Sequence, residues 1–242
     1  SSLNLNNPNI DFNRFGYTSN SANVISFLEE NSLMNEARKT GVINKNDKLI
    51  CFNNALIYPF SSRAKQAGFV CLNKEGRHIT IPGNIIFNEV ESLVDLDKAK
   101  SSDNNQPLYV VSNFHEKLKL ESLGINNVIC NVFNGSLLTK AQYKAIATKN
   151  EKDIYFVFEN SEESKQNTLD LVKSFLSAWN PQQVGQIKVL FIPQGESLSS
   201  IVKKVSFDKL SFLTSKAVDL PTFFLSLLKS EKDMGHKMFI KA

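Results

Sequence analysis

The sequence is short of several things, and each shortage excludes a class of protein. Three cysteines, Cys51, Cys71 and Cys130, stand far apart in 242 residues. They exclude a disulfide framework and a Cys-x-x-Cys zinc site, and each reads as a small buried thiol. So few cysteines suit a reducing, cytoplasmic setting. No run approaches the ~18 uncharged apolar residues of a membrane helix; the longest, Leu220–Leu228, falls far short. Residues 1–9 are polar and Asn-rich, without the charged-then-apolar order of a signal peptide. No membrane partner is expected. A Walker-type Gly-rich loop, Gly-x-Ser-x-Gly and His-Glu-x-x-His are all missing. His78, His115 and His236 are scattered. Neither charge dominates: 28 Lys+Arg against 24 Asp+Glu leave a net +4, which permits a nucleic-acid partner without demanding one. The chain does not begin with Met, as expected of a piece of a longer protein.

Hydrophobic residues make up 42% and charged residues 21%, enough apolar side chains for a sizeable core. The length suits one large domain or two small ones. Residues 1–22 read as a weakly structured lead-in. The spacing of Val24, Phe27, Leu28, Leu33, Met34 and Ala37 predicts one helix to Lys39, stopped by Gly41. Strands are expected over 49–60, with a turn at Asn53-Asn54, and over 66–72 and 77–82. Residues 41–90 thus read as an antiparallel subdomain. The polar stretch Asp97–Pro107 is the best internal boundary.

Beyond it, strands at 108–111, 127–132, 153–158 and 187–192 alternate with helices at 116–123, 139–147 and 161–178. Gly124 is expected to close the first helix, Thr139 to cap the second, and Glu162 and Glu163 to favour the N-terminus of the third. This alternation predicts a mostly parallel sheet with helices on both faces. Residues 198–238 read as helices broken by Pro221, with Phe223, Phe224, Leu227 and Leu228 sealing the core. The expected fold class is α/β: an α+β N-terminal subdomain (1–106), a Rossmann-type parallel sheet (107–197) and a short helical tail (198–242). Sites in such sheets lie beyond the C-terminal ends of strands. Here those loops are 112–115, 159–161 and 193–197.

The residues of these loops resemble the Toprim domain of bacterial DnaG-type primases, in which a strand ends Val-Glu-Gly-Tyr, followed by an Asp and a helix closing on Gly-Ile. This chain has Val110-Val111-Ser112-Asn113-Phe114-His115-Glu116, and then Leu123-Gly124-Ile125. Phe133-Asn134-Gly135-Ser136 stands at the next loop. Phe158-Glu159-Asn160-Ser161 stands where the family has Asp-x-Asp. Ile192-Pro193-Gln194-Gly195-Glu196-Ser197 stands where it has Leu-Pro-x-Gly-x-Asp. Upstream, Ala55-Leu56-Ile57-Tyr58-Pro59-Phe60 looks like the family's Arg-x-x-Phe-Pro-Ile segment without its Arg. The matches come in order, with compatible spacings, over most of the chain.

The resemblance implies a Toprim-like second domain, a proton-transferring Glu and an Asp cluster holding divalent metal. The departures fall on those acids. Ser112 replaces the Glu, Glu159 and Ser161 the paired Asp residues, and Ser197 the fourth-strand Asp. Serine hydroxyls do not ionise near neutral pH and are poor substitutes for carboxylate ligands. Glu116 matches the family's second acidic position, and Glu159 is the one carboxylate placed to hold metal. The expectation is a primase-like core that has lost catalysis and needs no cofactor, acting in DNA replication or a mobile element as a nucleic-acid-binding or scaffold module.

Two other readings stay open. One is an active, divergent primase using Mg²⁺ or Mn²⁺ at Glu159; the other is a module docking a replication or mobile-element protein and binding neither metal nor DNA. For a single-stranded DNA partner, the resemblance points to Lys48, Arg63, Lys65, Lys74 and Arg77 for phosphate contacts, giving affinity without sequence readout. Tyr58 and Phe60 beside them read as core rather than as base-stacking groups.

Overall fold

The computed structural model describes residues 14–51, 53–62, 65–73, 75, 78–82, 93–101, 106–131, 138–147, 153–159, 186–193, 195–205, 208–223 and 225. At 61–62, 65–67, 78–82, 100–101, 140, 147, 159 and 210 the description is of the backbone alone. The expected 161–178 helix, Glu162, Glu163, Trp179 and the 133–136 loop lie outside these residues.

The first sheet is a meander of β1 (Gly16–Thr18), β2 (Ala55–Ser62), β3 (Lys65–Leu72) and β4 (His78–Pro82), antiparallel throughout. β2 carries Pro59, which lacks a backbone donor. β1 pairs only with Ala55–Ile57, so Pro59 lies beyond that pairing, on an open stretch of edge where no donor is needed. Period-two alternation gives the sheet two apolar faces. Tyr58, Phe60, Val70 and Leu72 join the main core. Cys71 points the other way, and its thiol meets that of Cys51. Cys71 and Cys130 are buried as expected, whereas Cys51 is half-buried.

Between β1 and β2, one expected helix is two, α1 (Ser21–Glu30) and α2 (Met34–Lys39). Asn20 caps α1 by accepting from Asn23 N at 2.9 Å. The break falls at Ser32, whose φ of 56° is left-handed and outside any right-handed helix. The lead-in is also more ordered than expected, since β1 and the start of α1 lie within it.

The second sheet has the order β10-β9-β8-β6-β7-β5. Its centre is four parallel strands, β6 (Leu108–Val111), β7 (Val128–Asn131), β8 (Ile154–Glu159) and β9 (Ile187–Ile192). Short antiparallel strands, β5 (Leu93–Val94) and β10 (Val218–Asp219), flank it. α3 (Leu96–Ser101) follows β5, and both precede residue 107. α4 (Phe114–Ser122) links β6 to β7, and α5 (Lys140–Ala147) lies between β7 and β8. Tyr109, Val111, Val128, Tyr155 and Val157 face α4 and the first sheet. Leu108, Val110, Ile129, Ile154 and Phe156 face α3 and α5. Both faces are therefore covered, as parallel sheets require.

Helix ends follow sequence signals. Gly124, at φ 86°, closes α4 in a Schellman motif: its N–H bonds to Glu121 O, Ile125 N–H bonds to Leu120 O, and Leu120 and Ile125 are both core residues. Thr139 and Gln142 form a reciprocal box at the start of α5. The tail holds α6 (Leu198–Lys203) and α7 (Lys209–Lys216). Pro221 starts a helical turn rather than breaking one. Asp219 caps that turn by accepting from Thr222 N at 2.8 Å, and the missing proline N–H falls in the first turn. Leu220 and Phe223 are buried. Among the described residues no helix is long and apolar enough to cross a membrane.

A buried polar cluster joins the two sheets. The Lys117 side chain is fully buried on α4 and pairs with Asp95 at 2.8 Å and Glu121 at 2.7 Å. Tyr58 donates its hydroxyl proton to Asp95, and Arg14 reaches the other Asp95 oxygen at 3.0 Å. The Arg14 guanidinium lies 4.8 Å from the Tyr58 ring centre, and Phe15 and Phe114 pack on the same ring. Burial pushes the Asp95 carboxyl up; Lys117, the Tyr58 hydroxyl and Arg14 more than offset this and hold it at about 2 against an ordinary 3.8. Burial pushes the Lys117 ammonium down, and Asp95 and Glu121 raise it above its usual range.

Lys117→Met, which leaves two carboxylates buried without their cation, should cost about 3–5 kcal/mol in urea unfolding. Tyr58→Phe should cost about 1–3 kcal/mol. The depressed Asp95 group contributes stability that is complete above its unfolded value of 3.8 and is lost as pH falls towards 2. Stability measured across that window should drop by about 2 kcal/mol more in the parent than in Asp95→Asn, relative to each protein's value at neutral pH.

Candidate functional site

Chain direction and strand order fix where a site can form. The chain leaves β6 for β7 on one side and later returns to β8 on the other side of β6. The C-terminal ends of β6 and β8 therefore flank a topological switch point, the usual crevice of doubly wound sheets. β9 runs parallel beside β8, so its end opens on the same edge. The starts of the three loops singled out from the sequence, at Ser112, Glu159 and Pro193, open on that edge.

Ser112 follows β6 and is exposed; its Oγ accepts from Asn113 Nδ2 at 3.2 Å. Asn113 caps α4, accepting from Glu116 N at 2.8 Å. His115 is half-buried in the first turn of α4. Glu159 is the last residue of β8 and is placed by its backbone, opposite Ile192 of β9. Ser161 lies outside the described residues. Ser197 caps α6: its Oγ accepts from Ser200 N at 3.1 Å, and Ser200 Oγ accepts from Ser197 N at 3.2 Å. This is a capping box built from two serines.

Glu116 joins the helix after the first of these loops to the helix after the third. Its carboxylate is buried and crosses to α6, where Oε1 accepts from Ser199 N at 2.5 Å and Oε2 from Ser199 Oγ at 2.8 Å. Ser197 satisfies the third N–H of α6 and Glu116 the second, two of the donors that every helix start leaves unpaired. The carboxylate also sits at the positive end of the helix dipole. Both of its oxygens are thus engaged. Glu196 is similarly committed: hydrogen bonds from Ser200 at 2.7 Å and from Lys204 at 3.0 Å hold its carboxyl below the ordinary range.

A divalent magnesium-type ion takes hard oxygen ligands, usually with one or two carboxylates among them. The described oxygen donors at the switch point are the hydroxyls of Ser112 and Ser197 and the carboxylates of Glu116 and Glu196, and both carboxylates are already hydrogen-bonded within the protein. Among these described side chains no uncommitted carboxylate is offered to such an ion. Among the described residues no three His, Cys, Asp or Glu side chains converge elsewhere.

Of the basic residues singled out, Lys48 is exposed in the turn between α2 and β2, and Lys65 opens β3 opposite Ser62. Arg63, Lys74 and Arg77 lie outside the described residues. Tyr58 and Phe60 are buried core residues and offer no ring to a base. Sequence reasoning missed the Arg14–Asp95–Lys117–Glu121 cluster and the role of Ser199. The i,i+4 spacing of Lys117 and Glu121 signals an ion pair on one helix face. Nothing in that spacing signals its burial.

No family model matches the chain. A DNA primase of Clostridium acetobutylicum is 24% identical over 208 aligned residues, covering 81% of this chain and 33% of that protein. The chain thus spans about a third of the length of the curated relative it matches. The fold is similar to that of a DnaG primase catalytic domain bound to single-stranded DNA, with TM-score 0.77 at 18% identity, covering 91% of this chain and 71% of that one. The E. coli primase catalytic core aligns with TM-score 0.73 at 18% identity, covering 91% of this chain and 72% of the other. The zinc-binding and RNA polymerase domains of the Aquifex aeolicus primase align with TM-score 0.68 at 21% identity, covering 92% and 55%. The fold is that of a DnaG-type primase catalytic core.

If Glu116 serves α6, its removal should register as stability. Glu116→Ala should cost about 1–3 kcal/mol in chemical unfolding, because it strands the buried Ser199 N–H. Glu116→Gln, which keeps one acceptor oxygen, should cost less than Glu116→Ala.

Proposed function

We propose that this chain is a primase-like core that binds single-stranded DNA and no longer carries out metal-dependent nucleotidyl transfer, as one part of a larger replication or mobile-element protein. The observation that supports this reading is the engagement of Glu116. Glu116, which matches the family's second acidic position, spends both oxygens on the start of α6. Serines stand at three further acidic positions, Ser112, Ser161 and Ser197, and Ser197 serves as a helix cap.

Binding in this reading comes from phosphate contacts. Lys48, Arg63, Lys65, Lys74 and Arg77 are the proposed contacts, on or beside the first sheet. Such contacts release counterions and read no sequence. The similar catalytic domain bound to single-stranded DNA gives this ligand class its precedent.

Fluorescence anisotropy of labelled single-stranded DNA over a salt series tests the proposal. Affinity should fall with salt at a logarithmic slope of about 0.7 per phosphate neutralised. It should be the same with and without Mg²⁺. Replacing Lys48 and Lys65 together by Ala should weaken binding and flatten the slope. No binding at low salt would overturn the nucleic-acid reading in favour of a protein-docking one. Primer synthesis with Mg²⁺ or Mn²⁺, abolished by Glu159→Gln, would overturn the loss of catalysis.

A further inference from the structure

A second chemistry-bearing feature lies on the far side of the first sheet, away from the switch point. Cys71 sits in the middle strand, paired with Ile57 of β2 and Ile79 of β4, and is fully buried. Its neighbours Val70 and Leu72 face the main core, so its own side chain points to the opposite face. The segment from α2 into β2 crosses that face and brings Cys51 onto Cys71, where the two thiols share a hydrogen bond. Cys51 is half-buried and lines a solvent-open cavity of about 560 Å³ with Ser21, Ile25, Ser26, Lys48 and Asn53.

We infer that Cys51 and Cys71 form a reversible oxidation site, in which a hydroperoxide entering from the cavity converts the thiol pair to a disulfide. Cys51 is the group the cavity exposes, and Cys71 is the resolving thiol behind it. The Cys51 thiolate attacks one peroxide oxygen and the O–O bond breaks. The leaving oxygen takes a proton, giving water or an alcohol and a sulfenic acid on Cys51. Cys71 then attacks the Cys51 sulfur, the S–S bond forms, the S–O bond breaks, and the Cys71 proton leaves with the hydroxide as water. Two thiols lose two electrons in total and one peroxide gains them. The resulting cross-link would tie the segment entering β2 to the central strand of the first sheet.

Cys130 is the internal reference. It lies fully buried in the second sheet, apart from the Cys51–Cys71 pair on the first. Folded protein treated with hydrogen peroxide, then alkylated after denaturation, should retain one of its three free thiols, at Cys130. Its intact mass should fall by two hydrogens, with a Cys51–Cys71 linked peptide that dithiothreitol separates. Cys71→Ser should instead collect one oxygen on Cys51, trapped by dimedone, and Cys51→Ser should leave Cys71 unmodified. Circular dichroism of each variant confirms that it is folded. Over-oxidation of Cys51 with Cys71 still free, cross-links between chains, or three intact thiols after peroxide would each overturn the proposal.

Discussion

The Lys117 ammonium, shut away from water between Asp95 and Glu121, is the constraint that everything else must respect. A buried cation is tolerable only with its counter-charges in place, so α4 can dock in one register alone. That register sets Asn113 at the start of α4 and Glu116 one turn on, aimed at α6. Asp95 draws in the first sheet as well, through the Tyr58 hydroxyl and the Arg14 guanidinium. The cluster gains little stability over a well-packed apolar alternative. What it supplies is geometry: two sheets and the switch-point helices held in one arrangement.

The contrast between this joint and the switch point is chemical. At the joint, Asp95, Lys117 and Glu121 are buried, and the half-buried Arg14 balances their charge. At the switch point, the described groups are serine hydroxyls and two carboxylates already hydrogen-bonded within the protein, one of them bridging two helices. Among the described residues, the buried charge is gathered where it holds the two sheets together. The α6 capping box, the Glu116 bridge and the Glu196–Lys204 pair all act on the same short helix and its approach loop. The edge of the sheet is thereby stiffened by interactions internal to the protein.

Much of the second sheet was legible in the sequence, because short β-rich runs alternating with helix-period segments leave few topologies open. The caps at Thr139 and Gly124 were legible for the same local reason. The loops of interest followed from the strand ends, and their opening on one edge followed from the doubly wound order. Where the reading failed, the deciding interaction was not local. Ser32 breaks α1 from α2 through a left-handed backbone that its residue type does not announce. Pro221 was read as a breaker because Asp219, the cap that makes it a helix starter, belongs to a two-residue strand recognisable only from its pairing with β9. Cys51 and Cys71 looked remote in sequence and meet only because the chain folds back across one face of a sheet. The Lys117–Glu121 spacing is local, but the burial of Lys117 depends on Asp95, which comes from the segment after β5.

The face of the first sheet that carries Tyr58, Phe60, Val70 and Leu72 has a consequence for how the molecule is made. The meander can form as soon as β4 has been synthesised, since its strands pair with near neighbours in sequence. The groups that cover it, Asp95, Phe114, Lys117 and Leu118, come later. At the usual ~5–20 residues per second, an emerging chain carries that apolar face uncovered for several seconds. Tyr58 waits through that interval with its hydroxyl in water. Synthesis rate, and the holding chaperones that act on exposed apolar surface, therefore bear on the yield of this protein more heavily than its finished, closed core would imply.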